Sequence, residues 1–150
     1  MLRFVINKQE FSKKISVAAQ AVGSKTVDPI LQCLLFKPEN DSIKVFSTDM
    51  QTFVVAKLEV NEFDGNDSFA VDAKLLEEIV KNIDEDEIVL EYNLGKLNVR
   101  SGKTAFNLTT YSNPEKFPPL EFEKTGINFE IETSILSEMI DKVIFCASTE

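Results

Sequence analysis

Lys96–Thr110, KLNVRSGKTAFNLTT, alternates apolar and polar side chains on both sides of a glycine. Leu97 and Val99 alternate with Lys96, Asn98 and Arg100, and Phe106 and Leu108 alternate with Ala105, Asn107 and Thr109. Period two on both arms is the mark of strands with one apolar face. Ser101-Gly102 supplies the tight turn between them, because glycine tolerates the positive φ a short hairpin needs.

Working upstream, the same units recur. Leu2, Phe4 and Ile6 share one face of a short strand, and Asn7 with Glu10 has the spacing of a capping box. Phe11, Ile15, Ala18, Ala19 and Val22 fall on one helical face, so a helix from about residue 8 to 22 is expected, stopped by Gly23. Its opposite face centres on Lys13, beside Ser16 and Gln20, and is nearly free of acid. Strands are expected over 30–36, 43–47 and 52–60, separated by turn-rich stretches, and then a loop, NEFDGND. The order then restarts. Phe69–Val71 is a brief strand, Asp72 a good N-cap, and Leu75, Leu76, Ile79, Val80 and Ile83 a second apolar helix face. Strands over 88–92, 96–100 and 104–110 follow. Residues 1–112 therefore read as an α+β domain of two β-α-β-β-β units, each with one helix and one apolar sheet face.

Further downstream, NPEKFPPLEFEKTG (113–126) holds three of the five prolines and has the composition of a linker. Sliding the N-terminus by 125 residues sets Phe4 on Phe129, Ile6 on Ile131, Phe11 on Leu136, Ser12 on Ser137 and Ile15 on Ile140. A second domain is therefore expected to start at about residue 127 and to be truncated at 150, which makes the chain a fragment of a longer protein.

At 150 residues and 43% hydrophobic content, the chain can bury roughly two-thirds of its unfolded surface, enough for a real core. Twenty-five acidic against 16 basic side chains leave a net charge of -9. Nucleic acid can then be met only through a local basic patch. Cys33 and Cys146 have no CxxC spacing and read as free buried thiols of a reducing cytoplasm. No apolar run approaches the ~20 residues of a membrane span, so a soluble cytoplasmic protein is expected.

Catalytic chemistry has few candidates. Histidine is absent, and no Walker loop, GxGxxG, GxSxG or Cys/His cluster occurs. The acidic run Asp84–Glu87 follows a helix and precedes a strand, which reads as a solvated turn before it reads as the carboxylate pair of a glycosidase. Ser101 and Lys103 are turn residues first. No metal ligand set and no cofactor site is indicated. What remains is lysines on helices: Lys13 and Lys14, Lys25 in the following loop, and Lys74 and Lys81 a heptad apart, sharing their face with Glu77 and Glu78. A module that grips DNA by direct contact would interleave aromatics with basic residues, yet tryptophan is absent and most of the 12 phenylalanines fall in apolar patterns.

The segments DPILQCLLF, FSTDMQTFV, LNVRSGKTAFNLTT and FPPL, in this order and spacing, resemble the first domain of the bacterial DNA polymerase III beta subunit, the sliding-clamp family. The resemblance spans the whole chain and is most specific in VRSGKTAF followed by FPPL. It implies a DNA clamp fold with helices on one face of antiparallel sheets, and a non-catalytic processivity factor that encircles duplex DNA without reading its sequence. Carried over by position, it implies DNA-facing roles for Lys13, Lys25, Lys74 and Lys81. It implies a head-to-tail boundary with a second clamp subunit at Lys96, Lys103, Phe106 and Leu108, departing from the family pattern at Ala105, where a basic residue is common. Polymerase and clamp loader would bind through parts absent from this chain.

Overall fold

In the computed structural model, residues 1–23, 28–40, 42–60, 62–119, 126 and 129–147 are described. The chain divides into two units, Met1–Leu120 and Glu121–Glu150. In the first, β1 (Leu2–Asn7) leads into α1 (Lys8–Ala19), followed by β2 (Cys33–Glu39), β3 (Ser42–Thr48) and β4 (Phe53–Leu58). After β5 (Glu62–Gly65) come β6 (Phe69–Asp72), α2 (Ala73–Lys81), β7 (Glu87–Asn93), β8 (Lys96–Ser101) and β9 (Thr104–Thr109). All strand pairings are antiparallel, in two sheets ordered β5-β1-β7-β8-β9 and β4-β3-β2-β6.

The two repeats therefore exchange their first strands. β1 pairs with β7 of the second repeat, matching Phe4 to Leu90 and Ile6 to Ile88, while β6 pairs with β2 of the first, matching Phe69 to Phe36. Each repeat thus contributes strands to both sheets. Period-two alternation fixes which face is apolar but not which neighbour a strand finds.

The loop expected at NEFDGND contains β5, which pairs with β1 and sets Phe63 opposite Phe4. Its alternation covers four residues, too few to stand out in sequence. Gly65 closes it at φ +95°, where an added Cβ would run into the Met1 carbonyl. The strand expected from residue 30 starts at Cys33 instead. Pro29–Gln32 forms a 3-10 turn, because the Asp28 carboxylate accepts from the Ile30 N–H at 3.2 Å and Pro29 has no N–H to give a ladder. At the opening hairpin the turn is Gly102-Lys103, with Gly102 at φ +53°.

Asn7 caps α1, its side chain accepting from the Gln9 and Glu10 N–H groups at 3.0 and 3.3 Å. The box does not close, because Glu10 instead accepts from the Glu59 N–H at 3.3 Å and ties the helix to the end of β4. The helix ends at Ala19 rather than near Val22. Phe11, Ile15 and Ala18 are its buried face. Asp72 caps α2 at the Leu75 N–H, 2.8 Å, and Ala73, Leu76 and Val80 are buried; Leu75, expected on the apolar face, is 47% exposed. The buried stripe of Leu76 and Val80 extends on the flank of Ala73 and leaves Leu75, on the other flank, in solvent.

A file of aromatic rings joins the layers. Phe11 on α1 lies 6.3 Å from Phe36, which stacks on Phe69 at 4.7 Å, which stacks on Tyr92 of the other sheet at 4.9 Å. Such contacts add roughly 0.5–1.5 kcal/mol each beyond the buried area. Pro114–Lys116 forms a further 3-10 turn, and Phe117 is buried in the first unit.

In the second unit, α3 (Thr133–Val143) carries Ile135, Leu136, Met139 and Ile140, all more than 40% exposed. The strand expected from about residue 127 falls partly outside the described residues, and 129–132 lie in no strand. Cys33 is buried but Cys146 is exposed, which corrects the expectation of two buried thiols. Among the described residues no helix is long and apolar enough to cross a membrane.

Candidate nucleic-acid interface and edge strand

The two helices of the first unit pack side by side, α1 also against β3 and β4 and α2 against β6. Their outer surfaces carry the lysines. Lys13, Lys74 and Lys81 are exposed and Lys14 is half-buried; Lys25 lies outside the described residues. Between the helices sits Glu77. Its carboxylate accepts from the Ser16 hydroxyl at 2.8 Å and from the Lys81 ammonium at 2.9 Å. The hydrogen bond from Lys81 chiefly holds the Glu77 carboxyl below the usual glutamate range, with Ser16 adding to it against the cost of partial burial.

This bridge divides the lysines into two kinds. Lys81 is neutralised by a carboxylate one turn away, whereas Lys13 and Lys74 have no ion-pair partner among the described residues. The resulting face is weakly positive, with Lys13 and Lys74 exposed beside the bridged Lys81 and the amide of Gln20 exposed after the end of α1. Exposed lysines of this kind are the side chains that meet phosphate oxygens, a contact that carries no sequence information. The sequence showed Glu77 beside Lys81 but not that Glu77 also braces α1, since the Ser16 contact joins residues 61 positions apart.

The second candidate site is the edge at β9. It pairs only with β8, so its outer row of backbone groups has no strand partner among the described residues, the condition under which another chain can add to a sheet. Lys96 and Lys103 are exposed, and Ala105 is exposed between them. Phe106 is half-buried and packs against the core, while Leu108 is 4% exposed and belongs to the core, opposite Leu97. Of the two apolar residues expected at a boundary, Phe106 alone is in reach of a partner in the folded unit. β4 is a second free edge, at the corresponding place in the first repeat.

On the outer face of the same sheet, Glu91 on β7 joins Arg3 at 3.1 Å to Arg100, and Asn98 donates to Asn107 at 2.8 Å. These are cross-strand polar pairs of a solvated face, worth a few tenths of a kcal/mol to about 1 kcal/mol each. Asp84–Glu87 are all exposed, and among the described residues no three of His, Cys, Asp or Glu gather as a metal site would require.

Residues 2–121 match the family model described as DNA polymerase III beta subunit, N-terminal domain. The chain belongs to this family. Its relatives include proteins named beta sliding clamp from Halalkalibacterium halodurans, 26% identical with 99% of this chain covered, and from Lactococcus lactis, 26% identical with 100% covered. The chain spans 41% of the length of each of these two relatives. The crystal structure of the DNA polymerase III beta subunit of Thermotoga maritima superposes with a TM-score of 0.91 at 31% identity, covering 100% of this chain and 41% of that one. The α+β architecture with antiparallel sheets is thus the clamp fold of the family.

Proposed function

We propose that this chain serves in a sliding clamp, a ring that encircles duplex DNA and tethers a replicative polymerase, contributing no catalysis of its own. The observation that carries this reading is the character of the helical face. Lys13 and Lys74 are exposed and without an ion-pair partner among the described residues, and Lys81 is held by Glu77. A ring held by topology needs attraction that is weak and indifferent to sequence, because strong contacts would stop it sliding. A net charge of -9 suits that demand and is hard to reconcile with tight direct binding.

Lys13, Lys25, Lys74 and Lys81 would face the duplex. The β9 edge, with Phe106 between the turn lysine Lys103 and the strand-end lysine Lys96, would receive a second copy head to tail, which closes a ring. Leu108 would support that edge from inside. Polymerase and clamp loader would bind elsewhere on the assembled ring, in the cytoplasm.

The test loads the complete gene product onto nicked circular DNA with a clamp loader and follows retention before and after the circle is cut. Loss on linearisation is the expected result. Persistence on linear DNA with free ends would mean direct binding and would overturn the proposal.

A further inference from the structure

The first unit holds an open cavity of about 770 Å³ that neither the helical face nor the β9 edge uses. Leu35 on β2 and Phe46 on β3, directly opposite each other in register, both line it. So do Phe117, which is buried, and Tyr92, which stacks on the buried Phe69 at 4.9 Å. These contacts hold the rings in place, and Pro118 and Pro119 restrict the chain that follows Phe117, so the cavity is pre-formed. Its volume falls within the roughly 300–1,000 Å³ of ligand pockets.

Its charge is lopsided. Among the described residues, Glu39, Asp67 and Glu115 line the cavity against a single cation, Lys37. Glu39 meets Lys44 at 2.5 Å through one carboxylate oxygen, and Asp67 meets the chain's amino terminus through one of its own. Neither of those cations lines the cavity. Glu115 is exposed and has no ion-pair partner among the described residues. Lys37 is exposed too, and it stands in a row of like charges: it is in register with Lys44, which is in register with Lys57 on β4. Such a row repels itself, and no partner among the described residues holds Lys37 over the cavity.

Carboxylates beside aromatic rings select a cation that is also flat and weakly hydrated. Arginine meets this demand: its guanidinium stacks on aromatic faces, its five N–H groups can serve several carboxylates, and it leaves water more readily than an ammonium. A polyphosphate would meet three negative charges, and a second copy of this chain would bring a net charge of -9. Charge complementarity therefore favours a basic segment over either.

We propose that this cavity docks a short arginine-bearing segment of a partner protein, guanidinium groups on its aromatic rings and carboxylates and an apolar side chain against Leu35. The site lies wholly in the first unit and depends neither on ring closure nor on DNA.

The test is fluorescence anisotropy of the complete gene product with a labelled peptide, Gly-Arg-Phe-Arg-Gly. A Kd on the order of 100 μM is expected. Replacing both arginines by citrulline, a neutral mimic of the same shape, should weaken binding about tenfold, and replacing them by lysine about threefold. Glu115→Lys should weaken it about fivefold, whereas Lys37→Glu should tighten it about threefold. Lys57→Glu, the same charge change outside the cavity, should leave the affinity within about twofold. All three positions are exposed, so each variant should keep the circular dichroism of the parent. No measurable binding, equal affinity of the citrulline peptide, weaker binding by Lys37→Glu, an equal gain in Lys57→Glu, or tighter binding of oligo-dT would each overturn the proposal.

Discussion

Leu108 and Phe106 are two residues apart on β9 and on the same side of the strand, yet they should respond oppositely to a negative charge. Leu108 is 4% exposed, faces Leu97 and belongs to the core. Leu108→Asp loses the transfer energy of a buried leucine, about 1.5–3 kcal/mol. It also places a carboxylate in an apolar core, at a further cost of several kcal/mol before the group protonates. The sum, on the order of 5 kcal/mol, is comparable with the whole stability of a small domain. Phe106 is half-buried at the free edge, so Phe106→Asp gives up part of its apolar burial, about 1–2 kcal/mol, and its carboxylate stays in water. Urea denaturation followed by circular dichroism should show Leu108→Asp largely unfolded without denaturant and Phe106→Asp folded with a modestly lower midpoint. Sedimentation of the complete gene product should then show Phe106→Asp as a folded protein with weakened self-association. Equal midpoints for the two variants would refute the assignment of Leu108 to the core and Phe106 to the edge.

Other consequences are testable in the same preparations. Because the Glu77 carboxyl is held below the usual range by Lys81 and Ser16, its stabilising share is present above the ordinary glutamate value of about 4.3 and is lost as pH falls through its lower folded value. Urea midpoints of the protein and of Glu77→Gln should therefore differ at neutral pH and converge in acid, and a constant gap would count against the bridge. Gly65→Ala should lower stability by more than the roughly 1–2 kcal/mol of a left-handed alanine, since the Met1 carbonyl must also move; thermal melting with no change would show that β5 is not held as described. Burial, with Asp72 adding to it, pushes the Cys33 thiol up to about 11. At pH 8 iodoacetamide should label exposed Cys146 and spare Cys33, read by peptide mass mapping, with Cys33 slower by roughly two orders of magnitude than a free thiol.

Where the argument from sequence was local, it carried far. Leu97, Val99, Phe106 and Leu108 all point inward as their alternation implies. Asn7 and Asp72 cap the helices they precede. It stopped where partners are distant in the chain. Nothing in Phe63 and its neighbours announces a strand, because β5 exists through its pairing to β1. Glu10 has the right spacing to close a capping box and is diverted to Glu59 by a contact 49 residues away. The lysines of the candidate DNA face were visible as exposed helix positions, but Glu77 removes the free charge of Lys81 through geometry that also needs Ser16. The row Lys37, Lys44 and Lys57 was not legible at all, since it is created by the register of three strands.

The exchange of first strands between the repeats has a consequence in time. During synthesis β1 emerges first, but β7, its long partner, is complete only at Asn93, 86 residues after Asn7. At about 5–20 residues per second this is a wait of roughly 4–17 s. Until then Leu2, Phe4 and Ile6 have no more than the four-residue β5 to pair with. Neither repeat can finish a sheet while the other is still on the ribosome, so a nascent chain stalled between them would expose both apolar faces to chaperones. A single repeat made alone would lack the partner strand that the other supplies.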